Sequence, residues 1–224
     1  MLLRHLQAHG FPAPRPLGRD EQGRQVLGWI EGETTWDDHG RFWGELDRLH
    51  AVARLARRLH DILDEFRPPR DAEWRGGWGG ITPGGPICHR DLAPYNFVVT
   101  TLGDFAVIDW DGARPGDRLL ELAFFIESFA LLRRDETCAR VGYTRPPDRV
   151  ARVEVMWQGY GAGDGLRAPL AEALVTNARD RAAFGRAMFE QRREPWASWW
   201  AKDHGAGDEE DLALTEAVAA AWTT

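Results

Sequence analysis

Cysteine and long apolar runs are scarce in this sequence of 224 residues. The two cysteines, Cys88 and Cys138, have neither the spacing of metal ligands nor that of a redox pair, so we expect two reduced, buried thiols. The longest apolar tract, residues 119–132, contains Glu121 and Glu127, and it is too short and too charged to cross a bilayer. No secretory signal is evident at the N-terminus. These absences predict a cytoplasmic protein that makes no membrane contact.

Lysine and an excess of basic charge are lacking as well. Lys202 is the single lysine, and 28 basic residues stand against 35 acidic ones, which gives a formal net charge of −7. Nucleic-acid-binding proteins normally carry a basic patch, so we expect no nucleic-acid partner. An acidic balance suits a cationic substrate, but it is common in cytosolic enzymes and does not define one. The length allows one sizeable core, or a large lobe with a smaller appendage.

What the sequence does contain is a hairpin pattern near its centre. Two β-prone runs, 97–99 and 105–108, flank the stretch 101–104, whose Gly and Asp predict a four-residue turn. Folding about the midpoint of that turn would place Asn96 opposite Asp109, roughly 5 Å apart, at the open end of the hairpin. We therefore expect these two side chains to be cross-strand neighbours.

A third polar side chain precedes this hairpin. Asp91 lies five residues before Asn96, in a loop that contains Pro94. The spacing therefore gathers one amide oxygen and the carboxylates of Asp91 and Asp109 in a small volume. Such a set suits a divalent cation with hard oxygen ligands, beside a carboxylate that can accept a proton. The alternative is a solvated hairpin with acidic ends, because Asp and Asn are ordinary turn residues.

The pattern His89-x-Asp91-x4-Asn96, followed by Ile108-Asp109-Trp110-Asp111, resembles the aminoglycoside phosphotransferase family, whose relatives include protein kinases and choline kinases. The resemblance continues over residues 116–123, which are similar to the family's Gly-Asp-Pro…Asp-Leu-Ala segment. Glu121 stands there in place of the Asp. The likeness is specific over 87–123 and loose elsewhere.

The resemblance implies a role for each residue of the motif. Asp91 is the catalytic carboxylate, which orients or deprotonates the substrate hydroxyl. Asn96 and Asp109 hold the magnesium ion that bridges the ATP phosphates. His89 braces the loop. Asp111 stands where choline-kinase-like enzymes often have a second acid, and we expect it to contact a second metal ion.

The resemblance also implies an α+β, protein-kinase-like fold of the aminoglycoside phosphotransferase type. Residues 1–33 would form the remnant of a small lobe and the hinge, and residues 34–224 a helical large lobe with the catalytic loop and the metal-binding hairpin. ATP or GTP would bind at the hinge, where Gly28, Trp29 and Ile30 offer main-chain groups. The alternative for this segment is an ordinary strand and turn, because hinge recognition leaves little side-chain signature.

Helical periodicity is clearest in the first half of the large lobe. Apolar residues at spacings of three and four predict a helix over 42–64, with Asp37 and Asp38 as its caps. Residues 134–149 read as a connection. The cluster of Trp196, Trp199 and Trp200 is expected to pack against the lobe, or alternatively to form a sugar-stacking or cation–π platform. Further helices are predicted over 119–133, 149–160, 168–190 and 209–222.

One part of the family's pattern is missing. In this family the small lobe normally begins with strands that cover the phosphates and with a lysine paired with a helix glutamate. Met1 falls inside what resembles that helix, the first acidic residue is Asp20, and the single lysine is Lys202. We therefore expect either a longer protein with an upstream segment, or a shortened member with weak or no transfer activity.

The favoured function is a magnesium-dependent phosphotransferase that moves the γ-phosphate of ATP or GTP to a hydroxyl of a small molecule. The alternative, of a different class, is a catalytically silent kinase-like protein that binds a ligand. A metal-dependent phosphoester hydrolase is less favoured because no further His or Asp ligands cluster nearby. Aminoglycosides, other hydroxylated antibiotics, choline-like alcohols and sugars all fit the resemblance as acceptors. The sequence defines neither the acceptor nor the oligomeric state.

Overall fold

A computed structural model describes residues 1–35, 38–74, 80–201 and 205–224 of the chain. Short strands and longer helices are mixed along these residues, which makes the fold α+β, as the sequence predicts. The helices are α1 (Leu2–Ala8), α2 (His39–Trp43), α3 (Leu46–Glu65), α4 (Arg118–Ala130), α5 (Asp135–Arg140), α6 (Arg149–Tyr160), α7 (Arg167–Glu190), α8 (Trp196–Trp199) and α9 (Gly205–Thr223). The strands are β1 (Pro16–Arg19), β2 (Gln25–Leu27), β3 (Gly32–Thr34), β4 (Ile87–Cys88), β5 (Phe97–Thr100), β6 (Phe105–Val107) and β7 (Arg114–Pro115).

The described strands form three small antiparallel sheets. Strand β1 pairs with β2, β4 pairs with β7, and β5 lies between β3 and β6. Residues 28–31 therefore connect the β1–β2 sheet to the sheet that carries the central hairpin. This connection is the segment in which the hinge is predicted.

Buried apolar side chains form a core that includes residues of α1, α3, α4, α6, α7 and α9. Leu3, Leu6 and Phe11 of the N-terminal segment belong to that core. The strands β1 and β2 are by contrast exposed along almost their whole length. The division of the chain at residue 33 stays a prediction.

The predicted continuous helix over 42–64 is wrong at its start. Helix α2 ends at Trp43, and α3 begins at Leu46. Between them Glu45 is extended, with φ −85° and ψ 134°. In a continuous helix the carbonyl of Trp43 would accept a hydrogen bond from the backbone amide four residues later. Here it instead accepts a hydrogen bond from the guanidinium of Arg152 at 2.9 Å. A tertiary contact therefore replaces the helical hydrogen bond at this position.

Arg152 also closes the end of α4. Its guanidinium donates to the carbonyls of Phe129 and Ala130 at 2.7 and 3.1 Å, where a helix has no acceptor partners of its own. Leu131 follows in the left-handed conformation, with φ 58°. A cation at the carbonyl end of a helix is also favoured by the helix dipole.

The helices predicted over 119–133, 149–160 and 168–190 are confirmed as α4, α6 and α7. The predicted connection over 134–149 was wrong in part, because it contains the short helix α5. Helix α9 begins at Gly205, earlier than the predicted start of the helix over 209–222.

Some sequence predictions concern residues that the structure describes only in part. Asp38 does cap α2, since its carboxylate accepts the amide hydrogen of Arg41 at 3.1 Å. Trp200 stacks on Phe189, with ring centroids 6.2 Å apart. Outside the described residues lie Asp37, the side chains of Trp196 and Trp199, and Lys202.

The predicted state of the cysteines is confirmed. Cys88 and Cys138 are both free and buried, and burial raises the pKa of the Cys88 thiol. Among the helices of the described ranges, none has the length and apolar character needed to cross a membrane.

Candidate active site

The central hairpin is present, but its register differs from the prediction by one residue. Phe97 pairs with Val107, and Val99 pairs with Phe105. The loop consists of the three residues 101–103, because the amide of Thr100 donates to the carbonyl of Asp104 at 2.8 Å. Its last residue is a glycine with φ 87°, as is typical of three-residue hairpin loops. The predicted four-residue turn was therefore wrong.

The shifted register changes the partner of Asn96. Asn96 lies opposite Ile108, whose amide donates to the Asn96 carbonyl at 2.9 Å. Asp109 is one residue further along and adopts a left-handed conformation, with φ 59° and ψ 67°. Asp109 is therefore not the cross-strand partner of Asn96. Its left-handed backbone turns the chain out of the strand and into the single helical turn Trp110–Gly112.

Asp91 and Asn96 are in direct contact. The Asn96 carboxamide donates from Nδ2 to the Asp91 carbonyl at 2.9 Å and to Asp91 Oδ2 at 2.8 Å. The second carboxylate oxygen, Oδ1, accepts the hydroxyl hydrogen of Tyr95 at 2.7 Å. The helical turn Pro94–Asn96 brings both donors back towards Asp91. The loop thus holds the Asp91 carboxylate at both of its oxygens.

His89 joins this loop to the strand that precedes Asp109. The ring is fully buried, and Nε2 lies 3.0 Å from the carbonyl of Ile108. Since a carbonyl can only accept, Nε2 carries the hydrogen. Burial lowers the pKa of His89, so the imidazole is neutral at pH 7. Its ring also packs edge-on against Trp110, at a centroid distance of 4.5 Å.

The carboxylates of Asp91 and Asp109 lie near the same two side chains. Burial is the main cause of the low pKa of His89, and the negative charges of Asp91 and Asp109 both oppose it. Burial likewise dominates the raised pKa of Tyr95, and the same two charges add to it. The structure therefore brings Asp91, Asn96 and Tyr95 into contact, and His89 joins this loop to Ile108, the residue before Asp109, although not through the predicted cross-strand pair.

The oxygen atoms of this set fit a magnesium ion. Asn96 uses its Nδ2 hydrogens on Asp91, while its carboxamide oxygen accepts no hydrogen bond from the described residues. Asp109 is exposed and adds a carboxylate. Within the described ranges no group of three His, Cys, Asp or Glu side chains could hold a metal ion. Asn96 and Asp109 would supply two oxygen ligands, and magnesium usually takes one or two ligands from the protein and completes its shell with water and phosphate oxygens.

The remaining predicted residues lie at two other places. Asp111 is exposed in the turn Trp110–Gly112, and its contact with a second metal ion stays a prediction. Gly28, Trp29 and Ile30 lie in the connection between β2 and β3, and their contact with a nucleotide stays a prediction. The amide of Gly28 is already bonded to the Arg15 carbonyl at 2.8 Å. The Trp29 side chain is 83% exposed.

Sequence reasoning missed the buried support behind the loop. Glu121 Oε2 accepts the amide hydrogen of Arg90 at 2.6 Å, and Glu121 Oε1 lies 3.1 Å from His60 Nε2. The hydroxyl of Tyr160 lies 2.7 Å from the other ring nitrogen of His60. Arg90 has φ 70°, a strained conformation for a non-glycine residue. The Glu121 carboxylate therefore holds the residue next to Asp91 in a conformation that it rarely adopts alone.

The charge states of this buried chain follow from its contacts. Burial alone would raise the pKa of Glu121, but the hydrogen bonds from His60 and from the Arg90 amide hold that pKa below its usual range. Burial lowers the pKa of His60 and raises the pKa of Tyr160 to about 12. A neutral His60 therefore donates to an ionised Glu121 and accepts from Tyr160. The substitution of Glu for Asp at position 121 was visible in the sequence, but its partners were not.

An ionic cluster was also missed. Glu127 is fully buried and contacts the guanidinium groups of Arg133 and Arg181, the second at 3.1 Å. Asp208 pairs with Arg181 at 2.8 Å, and Asp211 lies 3.7 Å from Arg133. The sequence predicted a helix over 209–222, and nothing in it signalled the contacts of Asp208 with Arg181 on α7 and of Asp211 with Arg133, which follows α4.

The fold and the loop with its hairpin define a kinase-like phosphotransferase class of protein. The model of the phosphotransferase enzyme family, the aminoglycoside phosphotransferase type, matches residues 85–168. The chain is 35% identical over 187 residues to the trifolitoxin immunity protein of Rhizobium leguminosarum bv. trifolii, a match that covers 81% of this chain and 70% of that one. The chain therefore belongs to the phosphotransferase enzyme family, as its motifs predict.

Solved structures agree on the fold. A choline/ethanolamine kinase family protein from Mesorhizobium loti matches with a TM-score of 0.58 at 13% identity, over 97% of this chain and 80% of that one. The ethanolamine kinase of Plasmodium vivax gives a TM-score of 0.59 at 9% identity, over 95% and 71%. The GDP complex of aminoglycoside 2'-phosphotransferase-IIIa gives 0.52 at 12% identity, over 98% and 81%. The predicted protein-kinase-like fold is confirmed.

Proposed function

We propose that this protein transfers the γ-phosphate of ATP or GTP to a hydroxyl group of a small molecule, with magnesium as its metal. The observation that carries the proposal is the contact between Asp91 and Asn96 beside Asp109. Together these side chains supply a carboxylate for the hydroxyl and oxygen ligands for a metal ion. Membership of a family of phosphotransferase enzymes supports the same reaction class.

Asp91 is the group that acts on the acceptor. Its carboxylate accepts the hydrogen of the acceptor hydroxyl while the hydroxyl oxygen bonds to the γ-phosphorus. The bond from that phosphorus to the bridging oxygen breaks, and ADP or GDP leaves. The half-buried position of Asp91 suits this role, since the carboxylate is accessible to a substrate and fixed by two donors.

Asn96 and Asp109 are the groups that would hold magnesium, and Asp111 would contact a second ion. When bound, magnesium would neutralise part of the negative charge of the nucleotide phosphates. The unbonded carboxamide oxygen of Asn96 and the exposed carboxylate of Asp109 are hard oxygen donors of the kind that magnesium prefers. His89 keeps the two halves of this ligand set together through its hydrogen bond to Ile108.

The nucleotide would bind beside the connection 28–31. The structural neighbour solved with GDP supports a purine nucleotide as the phosphate donor. Gly28 has given its amide hydrogen to Arg15, so we expect the main-chain groups of Trp29 and Ile30 to contact the base. The exposed Trp29 ring offers a face for stacking.

A second candidate function is ligand binding without phosphate transfer. Kinase-like enzymes use a lysine to grip the phosphates, and residues 1–201 contain none. A missing contact of this kind typically costs ~2–5 kcal/mol. The name of the Rhizobium relative, an immunity protein, is compatible with either modifying a toxin or sequestering it. This name also supports including hydroxylated toxins among the acceptors to be tested.

The two candidates differ in one assay. The purified chain is mixed with MgATP or MgGTP and a panel of aminoglycosides, choline-like alcohols, sugars and hydroxylated toxins. Transfer predicts equal amounts of nucleoside diphosphate and phosphorylated acceptor, formed slowly because the lysine contact is lacking. EDTA should stop the reaction, and added magnesium should restore it.

Calorimetric titration of the same panel provides the matched control. A compound that binds with micromolar affinity but is never phosphorylated would favour the second candidate. Neither binding nor transfer with any compound, and no slow hydrolysis of the nucleotide, would contradict the proposed function.

A further inference from the structure

Tyr95 occupies one of the unspecified positions of the motif His89-x-Asp91-x4-Asn96, so the family resemblance gives it no role. It is the central residue of the helical turn Pro94–Asn96, and its hydroxyl donates to Asp91 Oδ1 at 2.7 Å. Asn96 donates to the other oxygen, Oδ2, at 2.8 Å. Two side chains that lie four and five residues after Asp91 therefore hold both oxygens of its carboxylate.

We propose that Tyr95 is a positioning residue of the phosphotransfer site, whose hydroxyl fixes the rotation of the Asp91 carboxylate so that one of its lone pairs faces the acceptor hydroxyl. The inference rests on the proposed function of Asp91. Each carboxylate oxygen has two lone pairs, so Oδ1 can accept from Tyr95 and still meet a substrate. A carboxylate that is already oriented loses little freedom when the acceptor binds, which favours the reactive geometry.

Tyr95 acts in this arrangement as a donor and not as a base. An ionised carboxylate can only accept, so in this contact the Tyr95 hydroxyl donates its hydrogen to Asp91 Oδ1. The proton of the acceptor goes to Asp91, and Tyr95 acts only through that carboxylate.

The backbone that carries Tyr95 is itself fixed. The carbonyl of Pro94 accepts a hydrogen bond from the hydroxyl of Thr35 at 2.5 Å. The backbone amide of Asn96 donates to the carbonyl of Ala93 at 2.9 Å. Because proline restricts its own φ, the turn has few alternative conformations. The hydroxyl of Tyr95 is therefore presented to Asp91 by a rigid segment.

The test is Tyr95→Phe, which removes one oxygen and keeps the ring. We expect kcat to fall about tenfold, with the KM values of nucleotide and acceptor within about twofold of the parent, because an interaction that orients Asp91 acts mainly in the transition state. In an Asp91→Asn background the same substitution should cause no further loss, since residues that act through one another are not additive.

Tyr143→Phe is the matched control. The hydroxyl of Tyr143 lies 3.0 Å from His39 Nδ1 and 3.3 Å from the Trp43 carbonyl, in contacts that do not involve the loop, so kcat should not change. An active parent with a fully active Tyr95→Phe variant would overturn the positioning role alone. An equal loss in both backgrounds would overturn it too, because the effect would not pass through Asp91. A parent that transfers no phosphate would overturn the proposed function and this inference together.

Discussion

Two hairpins of this protein differ in burial and in the number of side-chain contacts that fix them. In the hairpin of β5 and β6 the residues Phe97, Val98, Ala106 and Val107 are buried. Its neighbouring loop is fixed by hydrogen bonds from Tyr95, Asn96 and His89. The hairpin of β1 and β2 exposes most of its residues, including Val26 and Leu27. In the proposed function the first region carries the groups for the acceptor and the metal, and the second leads to the predicted nucleotide hinge.

The difference indicates where function depends on rigidity. An atom that exchanges a proton must be placed to within a fraction of an ångström, and the loop of Asp91 has the contacts to do so. A surface that binds a flat base through main-chain groups needs less side-chain support. Substitutions in the first region should therefore change the rate, and substitutions in the second should change nucleotide affinity.

The largest expected effect comes from the metal side of the rigid region. Asp109→Asn keeps the shape of the side chain and removes its charge, so the rate of transfer should fall on the order of 100-fold or more. The loss should be smaller at high magnesium concentration. Asp104→Asn, at the other end of the same hairpin, is the matched control and should leave the magnesium dependence of kcat unchanged. Equal effects of the two substitutions would contradict the assignment.

The next effect concerns stability. Glu121→Gln places an amide donor against the hydrogens of His60 and Arg90, so we expect a loss of about 3 kcal/mol in the free energy of unfolding. Glu21→Gln, on the exposed turn after β1, should change it by less than about 0.5 kcal/mol. Denaturant unfolding of both variants measures the contrast. Similar values for the two would mean that the buried chain behind the loop contributes little.

A pH effect follows from the buried His39. Burial lowers its pKa to about 3, so the unfolded state takes up a proton first as the pH falls below about 6.5. Its contribution to stability is therefore complete above that pH and is lost between about 6.5 and 3. Between pH 7 and 4.5 the parent should lose about 2 kcal/mol more than His39→Gln. If the free energy of unfolding had the same pH dependence in the parent and in His39→Gln, the assigned contribution of His39 would be wrong.

The smallest effect is expected at the exposed hinge. Trp29 is 83% exposed, so Trp29→Ala should change the free energy of unfolding by less than about 0.5 kcal/mol. If its ring stacks on the base, the KM of the nucleotide should rise severalfold while kcat stays close to that of the parent. Leu102→Ala, at the equally exposed tip of the β5–β6 hairpin, should change neither. A normal KM for Trp29→Ala would remove this residue from the nucleotide site.

The sequence predicted the local features of the site because they depend on short spacings. The loop from Asp91 to Asn96 closes over five residues, and the hairpin follows from two β-prone runs around a glycine. The predicted register of the β5–β6 hairpin was wrong because the register depends on whether three or four residues form the turn. That choice is decided by the left-handed conformation of Gly103, which the composition of the turn does not define.

Features that depend on distant residues were not predictable in this way. The break before α3 comes with a hydrogen bond from Arg152, which lies 109 residues after Trp43. Glu121 supports the loop through the Arg90 amide and is itself hydrogen-bonded to His60, 61 residues earlier in the chain. Periodicity and propensity describe one segment at a time, so they contain no information about such partners. The family resemblance filled this gap for the fold, but not for the buried contacts.

The most direct test of the central claim, that the loop at Asp91 is a phosphotransfer site, is the kcat of Asp91→Asn compared with the parent on an acceptor from the panel. The amide keeps the size of the side chain but cannot accept the acceptor's proton. We predict a fall of roughly 10²–10⁴-fold in kcat with little change in nucleotide affinity. A variant that keeps near-parental turnover would contradict the account.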